Sequence, residues 1–186
     1  NRDYLAHRFG AIFDDRHFTD WRHRLETNMA VQRGLAARFG NMNLGNPDPQ
    51  PRIRLGFDDT LNVTLLFGPL WSVNQTIPWV HPGFLSTDDS IERLTVPDME
   101  TTWPNTFLVQ QYEEAIRELG HDNVIPPRPH GVLEAAMDLR GEKLLTDFYD
   151  SPELVDKLLG VLAETVIRFQ ELWLKKRGGE PWEDIV

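Results

Sequence analysis

The stretch that decides the expected fold of this chain is Asn123–Lys176, which reads NVIPPRPHGVLEAAMDLRG, then EKLLTDFYD, then SPELVDKLLGVLAETVIRFQELWLKK. Its pattern predicts a short strand, a proline-rich loop, two small helices and a long amphipathic helix. The last helix has clear start signals, with Ser151 as the expected N-cap and Pro152 in the first turn. A strand followed by helices is the repeating unit of a parallel α/β fold.

A second strand followed by a helix is expected upstream of that stretch. Residues 53–57, IRLGF, are a compact strand candidate, and residues 61–67 predict a short helix that ends at Gly68. The final residues 182–186, WEDIV, have the pattern of an entry to a third strand. This alternation predicts the α/β class, with parallel strands joined by crossover helices.

The N-terminal segment, residues 1–52, is expected to be helical and to precede this alternation. Apolar side chains recur at helical spacing as far as Phe39, and Thr19 or Asp20 can cap that helix. A further helix is expected from about Pro104 to Leu119, because proline is tolerated in a first turn. Residues 1–52 and 53–186 are therefore predicted to be separate parts of the chain.

Composition and charge exclude several classes of protein. The net charge is −10, whereas a nucleic-acid surface needs clustered Lys and Arg. There are no cysteines, so disulfides and thiolate metal sites within the chain are excluded. No apolar run approaches the ~20 residues of a membrane span, and no secretion signal begins the chain. A cytoplasmic protein that binds neither nucleic acid nor membrane is expected.

Four motifs occur in the order of a known enzyme superfamily. Residues 57–59, FDD, end the first strand, and residues 66–68, LFG, end the next helix. Residues 91–98 have a short helix before a Pro-Asp turn, and residues 132–141 form a helix with a terminal glycine. With these motifs the chain resembles the uroporphyrinogen decarboxylase superfamily, which also contains cobalamin-linked methyltransferases.

The resemblance implies a single (β/α)8 TIM barrel. A complete barrel usually needs ~250 residues, and this chain has 186. We therefore expect residues 53–186 to be the N-terminal part of a barrel: its first two βα units and the start of the third strand. The missing C-terminal half, or a second chain, would complete it.

The resemblance also implies a set of site residues on the active-site face of the barrel. Asp59 matches the family's substrate-facing carboxylate and is the expected catalytic residue; its position alone is also that of a helix cap. His130 could act as acid, base or ligand, and Arg128 could bind an anion, or both could be polar surface. The expected substrate-binding residues are Phe57, Asp58, Arg128, His130 and Met137.

Two departures bear on the reaction. The decarboxylases carry an Arg-Gln-Ala-Gly-Arg motif whose arginines hold substrate carboxylates, and this chain has no such string. They also place a tyrosine in the helix after the second strand, where this chain has Met137, which cannot donate a proton. Both departures disfavour decarboxylation of a tetrapyrrole.

Methyl transfer involving a small molecule or a corrinoid carrier is therefore the favoured function. No cofactor is expected within the chain; zinc is possible in the missing half, and a corrinoid-carrying protein is a possible partner. The first alternative is decarboxylation of an acidic tetrapyrrole. The second is a non-enzymatic half-barrel that binds a partner or ligand, with Trp71 and Trp79 as candidate pocket walls.

Overall fold

The computed structural model describes residues 2–68, 71–72, 79–80 and 84–178, and these are mostly helical. The helices of the described residues are α1 Arg2–Phe9, α2 Arg16–Thr19, α3 Trp21–Phe39, α4 Leu61–Phe67, α5 Asp88–Glu92, α6 Trp103–Leu119, α7 Val132–Arg140, α8 Lys143–Asp150 and α9 Pro152–Lys176. The strands are β1 Ile53–Arg54, β2 Trp71–Ser72, β3 Trp79–Val80 and β4 Val124–Ile125. Each strand is two residues long.

The chain divides into two compact units that alternate along the sequence. The first unit comprises residues 1–58, 72–79 and 107–128, and the second comprises residues 59–71, 80–106 and 129–186. Each unit is therefore built from three separate segments.

Helix α3 is the main helix of the first unit, and its start is fixed by a side-chain cap. The Asp20 carboxylate accepts hydrogen bonds from the backbone N–H groups of Arg22 and His23, at 3.0 and 3.3 Å. These are two of the donors that a helix start leaves without an intrahelical partner. The backbone N–H of Trp21 donates to the Gln111 side chain on α6 at 3.1 Å, which ties the two helices together.

Strands β1 and β4 of the first unit form a short parallel pair. Ile53 lies opposite Val124, and Arg54 lies opposite Ile125. After β1 the backbone turns sharply, because Gly56 has a φ of +129° and Asp58 a φ of +47°. After β4, Pro126 and Pro127 have no N–H group to extend the ladder. The pair is therefore confined to two residues a strand.

The prediction of a partial (β/α)8 barrel is wrong. The described part of the chain is mostly helical, with only two short parallel strands. Two-residue strands cannot form a barrel wall, which needs a run of side chains alternating between the inside and the outside. The predicted third strand at residues 182–186 lies outside the described residues.

Helix α9 organises the second unit, where it packs against α4, α5, α7 and α8. Its buried side chains include Leu158, Leu162 and Phe169, each fully enclosed. The core contains side chains from all five helices and from the segments next to them. Its buried members are Val63, Val80, Leu85, Ile91, Leu94, Ala135, Ala136, Leu139, Leu144, Val155, Leu158 and Leu162.

A buried arginine joins three segments of this unit. Arg140, whose side chain is fully enclosed, donates to Asp147 at 2.6 Å, to the Leu85 carbonyl at 2.7 Å and to Asp88 at 2.5 Å. Burial alone would lower the pKa of Arg140, but the hydrogen bonds that it donates to Asp147 and Asp88 outweigh burial, and the pKa is raised. The guanidinium therefore stays charged and links α7 to α8 and to the start of α5.

None of the helices in the described part of the chain combines the length and the apolar character needed to cross a membrane.

Candidate functional site

His130 of the second unit is held by an unusual backbone clamp. The amide of Asn62 on α4 accepts a hydrogen bond from the His130 N–H and donates one to the His130 carbonyl, each at 3.0 Å. Asn62 is almost fully buried, so its side chain has little freedom. This reciprocal pair fixes His130 immediately before Gly131, the N-cap of α7. The histidine is thus positioned by a neighbouring helix as well as by its own loop.

Two carboxylates face the two nitrogens of the His130 ring. Asp59, in the 3-10 turn that precedes α4, lies 3.0 Å from Nε2 through its Oδ1 atom. Glu134, in the first turn of α7, lies 3.6 Å from Nδ1, which is just beyond hydrogen-bond distance. The three side chains are roughly one-third to one-half exposed, so solvent or a small ligand reaches them.

Asp138 is the fourth ionisable side chain of this cluster. It lies one helical turn beyond Glu134 on α7 and is partly buried. Burial raises its pKa above the ordinary aspartate value, and the negative charges of Glu134 and Asp59 raise it further, while His130 opposes them. We call Asp59, His130, Glu134 and Asp138 the histidine–carboxylate cluster.

This arrangement is suited to proton transfer and to binding a cation. A carboxylate that holds one nitrogen of an imidazole fixes the orientation of the ring and the nitrogen that carries its proton. The other nitrogen is then available to exchange a proton with a ligand that displaces Glu134. Three carboxylates around one histidine also make the cluster attractive to a positively charged group.

The structure brings together two of the predicted site residues, Asp59 and His130. Their separation along the chain is 71 residues, and both lie in the second unit. The Asp59 side chain does not cap a helix: its carboxylate contacts the His130 ring at 3.0 Å, and the N-cap of α4 is Thr60.

Met137, predicted to bind substrate, also lies in the second unit. Its partly buried side chain packs against the apolar core of that unit. This contact corresponds to the packing role that a methionine side chain fills well.

The other three predicted substrate-binding residues, Phe57, Asp58 and Arg128, lie in the first unit. Phe57 is fully buried and stacks against Phe107, with ring centroids 6.4 Å apart. Asp58 accepts a hydrogen bond from Arg24 at 2.6 Å, and the same guanidinium donates to the Gly56 carbonyl at 2.7 Å.

Arg128 is an exposed residue of the first unit, beyond the end of β4.

The sequence reasoning missed Asn62, Glu134 and Asp138. Glu134 and Asp138 follow His130 at intervals of four residues, a spacing that puts side chains on one face of a helix and was visible in the sequence. Asn62 had no comparable signal, because its partner is 68 residues away.

The described residues hold no group of three or more His, Cys, Asp or Glu side chains with the arrangement of a metal site.

Comparisons with known proteins add no identification. No protein-family model, no curated protein and no solved structure matches this chain. The resemblance to the uroporphyrinogen decarboxylase superfamily therefore stays a prediction from sequence motifs.

Proposed function

We propose that the second unit carries the acid–base site of an enzyme that acts on a small cationic or amine-containing molecule. The observation that carries this proposal is the 3.0 Å contact between Asp59 and His130, with the His130 backbone clamped by a buried asparagine. A histidine held at both its ring and its backbone is preorganised for proton transfer.

Methyl transfer is the reaction class that we assign to this site. In the step we propose, the His130 imidazolium gives its proton to the nitrogen of a methylated amine as the carbon–nitrogen bond breaks. The nitrogen keeps the electron pair of that bond, and the acceptor supplies a new pair to the methyl carbon. Asp59 holds the ring, while Glu134 and Asp138 place negative charge near the positive charge that develops on the amine nitrogen as it takes the proton.

The acidic character of the cluster favours this class over decarboxylation of a tetrapyrrole. A substrate with several carboxylates would meet three carboxylate side chains beside one histidine. Like charges at such distances disfavour binding. A corrinoid-carrying partner protein and a cytoplasmic location, which the cysteine-free composition favours, belong to the same proposal.

The test uses free cob(I)alamin as the methyl acceptor and a panel of mono-, di- and trimethylamine as donors. Formation of methylcobalamin, followed by its absorbance, should depend on the protein. His130→Gln and Asp59→Asn should each reduce the rate by roughly 100-fold, the usual scale of a positioned acid or base. Asp156→Asn, an exposed carboxylate on α9, removes the same charge and should retain activity.

The outcomes separate the alternatives. Turnover that survives His130→Gln would refute the proposed role of the histidine. Saturable binding of trimethylammonium without methylcobalamin, lost in Asp59→Asn, would indicate a binding module. Conversion of uroporphyrinogen by the same protein would favour the alternative function, decarboxylation of an acidic tetrapyrrole, over methyl transfer.

A further inference from the structure

Four arginines of the first unit lie on or next to the short β1–β4 pair. Arg54 is in β1, Arg52 directly precedes that strand, and Arg128 follows β4 by three residues. Arg24 reaches the carboxyl end of the pair from α3, since its guanidinium donates to the Gly56 carbonyl just beyond β1. We call these four residues the arginine cluster.

The backbone brings the segments that carry these arginines close together. A Cβ atom placed on Gly56 would lie 3.1 Å from the Cβ of Pro127, so the chain after β1 is in close contact with the chain after β4. Pro127 directly precedes Arg128. The parallel register places Arg54 opposite Ile125, three residues before Arg128. Close approach at Gly56 therefore fixes Arg24 and Arg128 near the same strand ends.

The positive charges of the cluster are largely unneutralised. Arg24 is paired with Asp58 at 2.6 Å. In the part of the chain that the structure describes, Arg52, Arg54 and Arg128 have no carboxylate within ion-pair distance. Burial lowers the pKa of Arg54, and repulsion from Arg128, Arg24 and Arg52 lowers it further. In a chain of net charge −10, this is a concentration of positive charge that a bound anion would stabilise.

We propose that the arginine cluster is a binding site for a small oxyanion with two or more negative charges, of which phosphate is the simplest. Guanidinium groups donate paired hydrogen bonds in a planar fork that matches phosphate oxygens. The guanidiniums of Arg52, Arg54 and Arg128 carry more positive charge than a singly charged anion could neutralise. An anion with two negative charges therefore suits the cluster better. The site uses residues of the first unit only, so it stands independently of the acid–base site proposed for the second.

The test is calorimetric titration of the full chain with inorganic phosphate, and separately with pyrophosphate, at a fixed ionic strength set with sodium chloride. Wild-type protein should bind phosphate saturably. Arg128→Gln and Arg52→Gln, both exposed, should each weaken binding by roughly tenfold, the loss expected for a charge-assisted hydrogen bond. Pyrophosphate should bind more tightly than phosphate, because it carries more charge.

The matched control is Arg33→Gln, which removes one exposed arginine of the same unit, on α3. It should bind phosphate as the wild type does. Without ligand, Arg128→Gln should melt at the same temperature as wild type or higher, since it relieves repulsion; a purely structural arginine would lower the melting temperature. Unaltered phosphate affinity in an Arg52→Gln, Arg128→Gln double variant, or an equal effect of chloride at matched ionic strength, would overturn the proposal.

Discussion

Asp138 is a partly buried carboxylate whose pKa is set by its neighbours. It is partly enclosed on α7, one turn from Glu134, and the Asp59 carboxylate adds a further negative charge. Burial and both neighbours act in the same direction on its pKa, which is raised. A raised pKa means that the folded protein holds the proton more tightly than the unfolded chain does.

The consequence is a pH-dependent cost in stability. The contribution of Asp138 is favourable below its unfolded pKa of ~3.9 and is lost as the pH rises through the raised folded value. Asp138→Asn removes the charge and should stabilise the protein at neutral pH by up to about 1 kcal/mol, allowing for solvent screening. The gain should shrink as the pH falls toward 4.

Urea unfolding followed by circular dichroism between pH 4 and pH 8 measures this dependence. Asp156→Asn on α9 is the control, because Asp156 is exposed, and it should show no gain that grows with pH. A stability loss in Asp138→Asn at pH 8 would show that the carboxylate makes a favourable contact when ionised.

At the scale of the element, helix ends were predictable because their signals are local. Helix α3 runs from the residue after Asp20 to Phe39, as its cap and apolar spacing predict. Gly68 and Gly141 end α4 and α7, with φ values of +75° and +70° that favour glycine. Such features depend on residues within one turn of each other, so sequence reasoning finds them.

The strands were not predictable to the same degree, because strand length depends on a partner. The strand was predicted at residues 53–57, but the observed strand β1 is only Ile53–Arg54, because its partner β4 ends at Ile125, before Pro126. A strand without a long partner has no ladder to extend it. The sequence placed Asp59 and His130 on the same active-site face but did not predict that their side chains touch. The role of Asn62 was missed because its hydrogen bonds to the His130 backbone form only in the tertiary structure.

Two helix starts with different chemistry allow a direct comparison. Ser151 is the N-cap of α9, but its side chain makes no capping hydrogen bond, contrary to the role predicted for it. Only its carbonyl accepts bonds, from Leu154 and Val155 at 3.0 and 3.3 Å. Asp20, in contrast, caps α3 with its carboxylate.

We therefore expect Asp20→Ala to destabilise the protein by about 1 kcal/mol, the usual cost of a lost cap. Ser151→Ala should change stability by less than about 0.5 kcal/mol, because no side-chain bond is lost. Urea denaturation of both variants beside the wild type measures the difference. An equal loss in the two would mean that the Ser151 hydroxyl caps α9 in solution.

At the scale of the whole molecule, the two units are interleaved along the chain. Residues 1–128 contain the entire first unit, but they also contain two of the three segments of the second. The core of the second unit draws on both sides of this boundary, with Val63 and Ile91 before it and Leu139, Leu158 and Leu162 after it. No single cut therefore separates the units.

A fragment that ends at Arg128 should consequently be a poor folding unit. It keeps the first unit complete but leaves the apolar side chains of α4 and α5 without α7 and α9 to cover them. Exposed apolar surface of this kind binds hydrophobic dyes and promotes aggregation. We expect the fragment to bind such a dye and to lack a cooperative thermal transition, whereas the intact chain should bind little dye and unfold cooperatively.

Adding the complementary fragment 129–186 tests whether fragment 1–128 misfolds because α7 and α9 are missing, and not merely because the chain was shortened. Because α7, α8 and α9 are all in that fragment, mixing the two pieces should reduce dye binding and raise the helical signal above the sum of the separate spectra. A second fragment that carries Leu158→Asp and Leu162→Asp should neither reduce dye binding nor raise the helical signal, since both side chains are fully buried in the core. A fragment 1–128 that is monomeric, dye-free and cooperatively folded by itself would show that the second unit does not depend on α9 for its core.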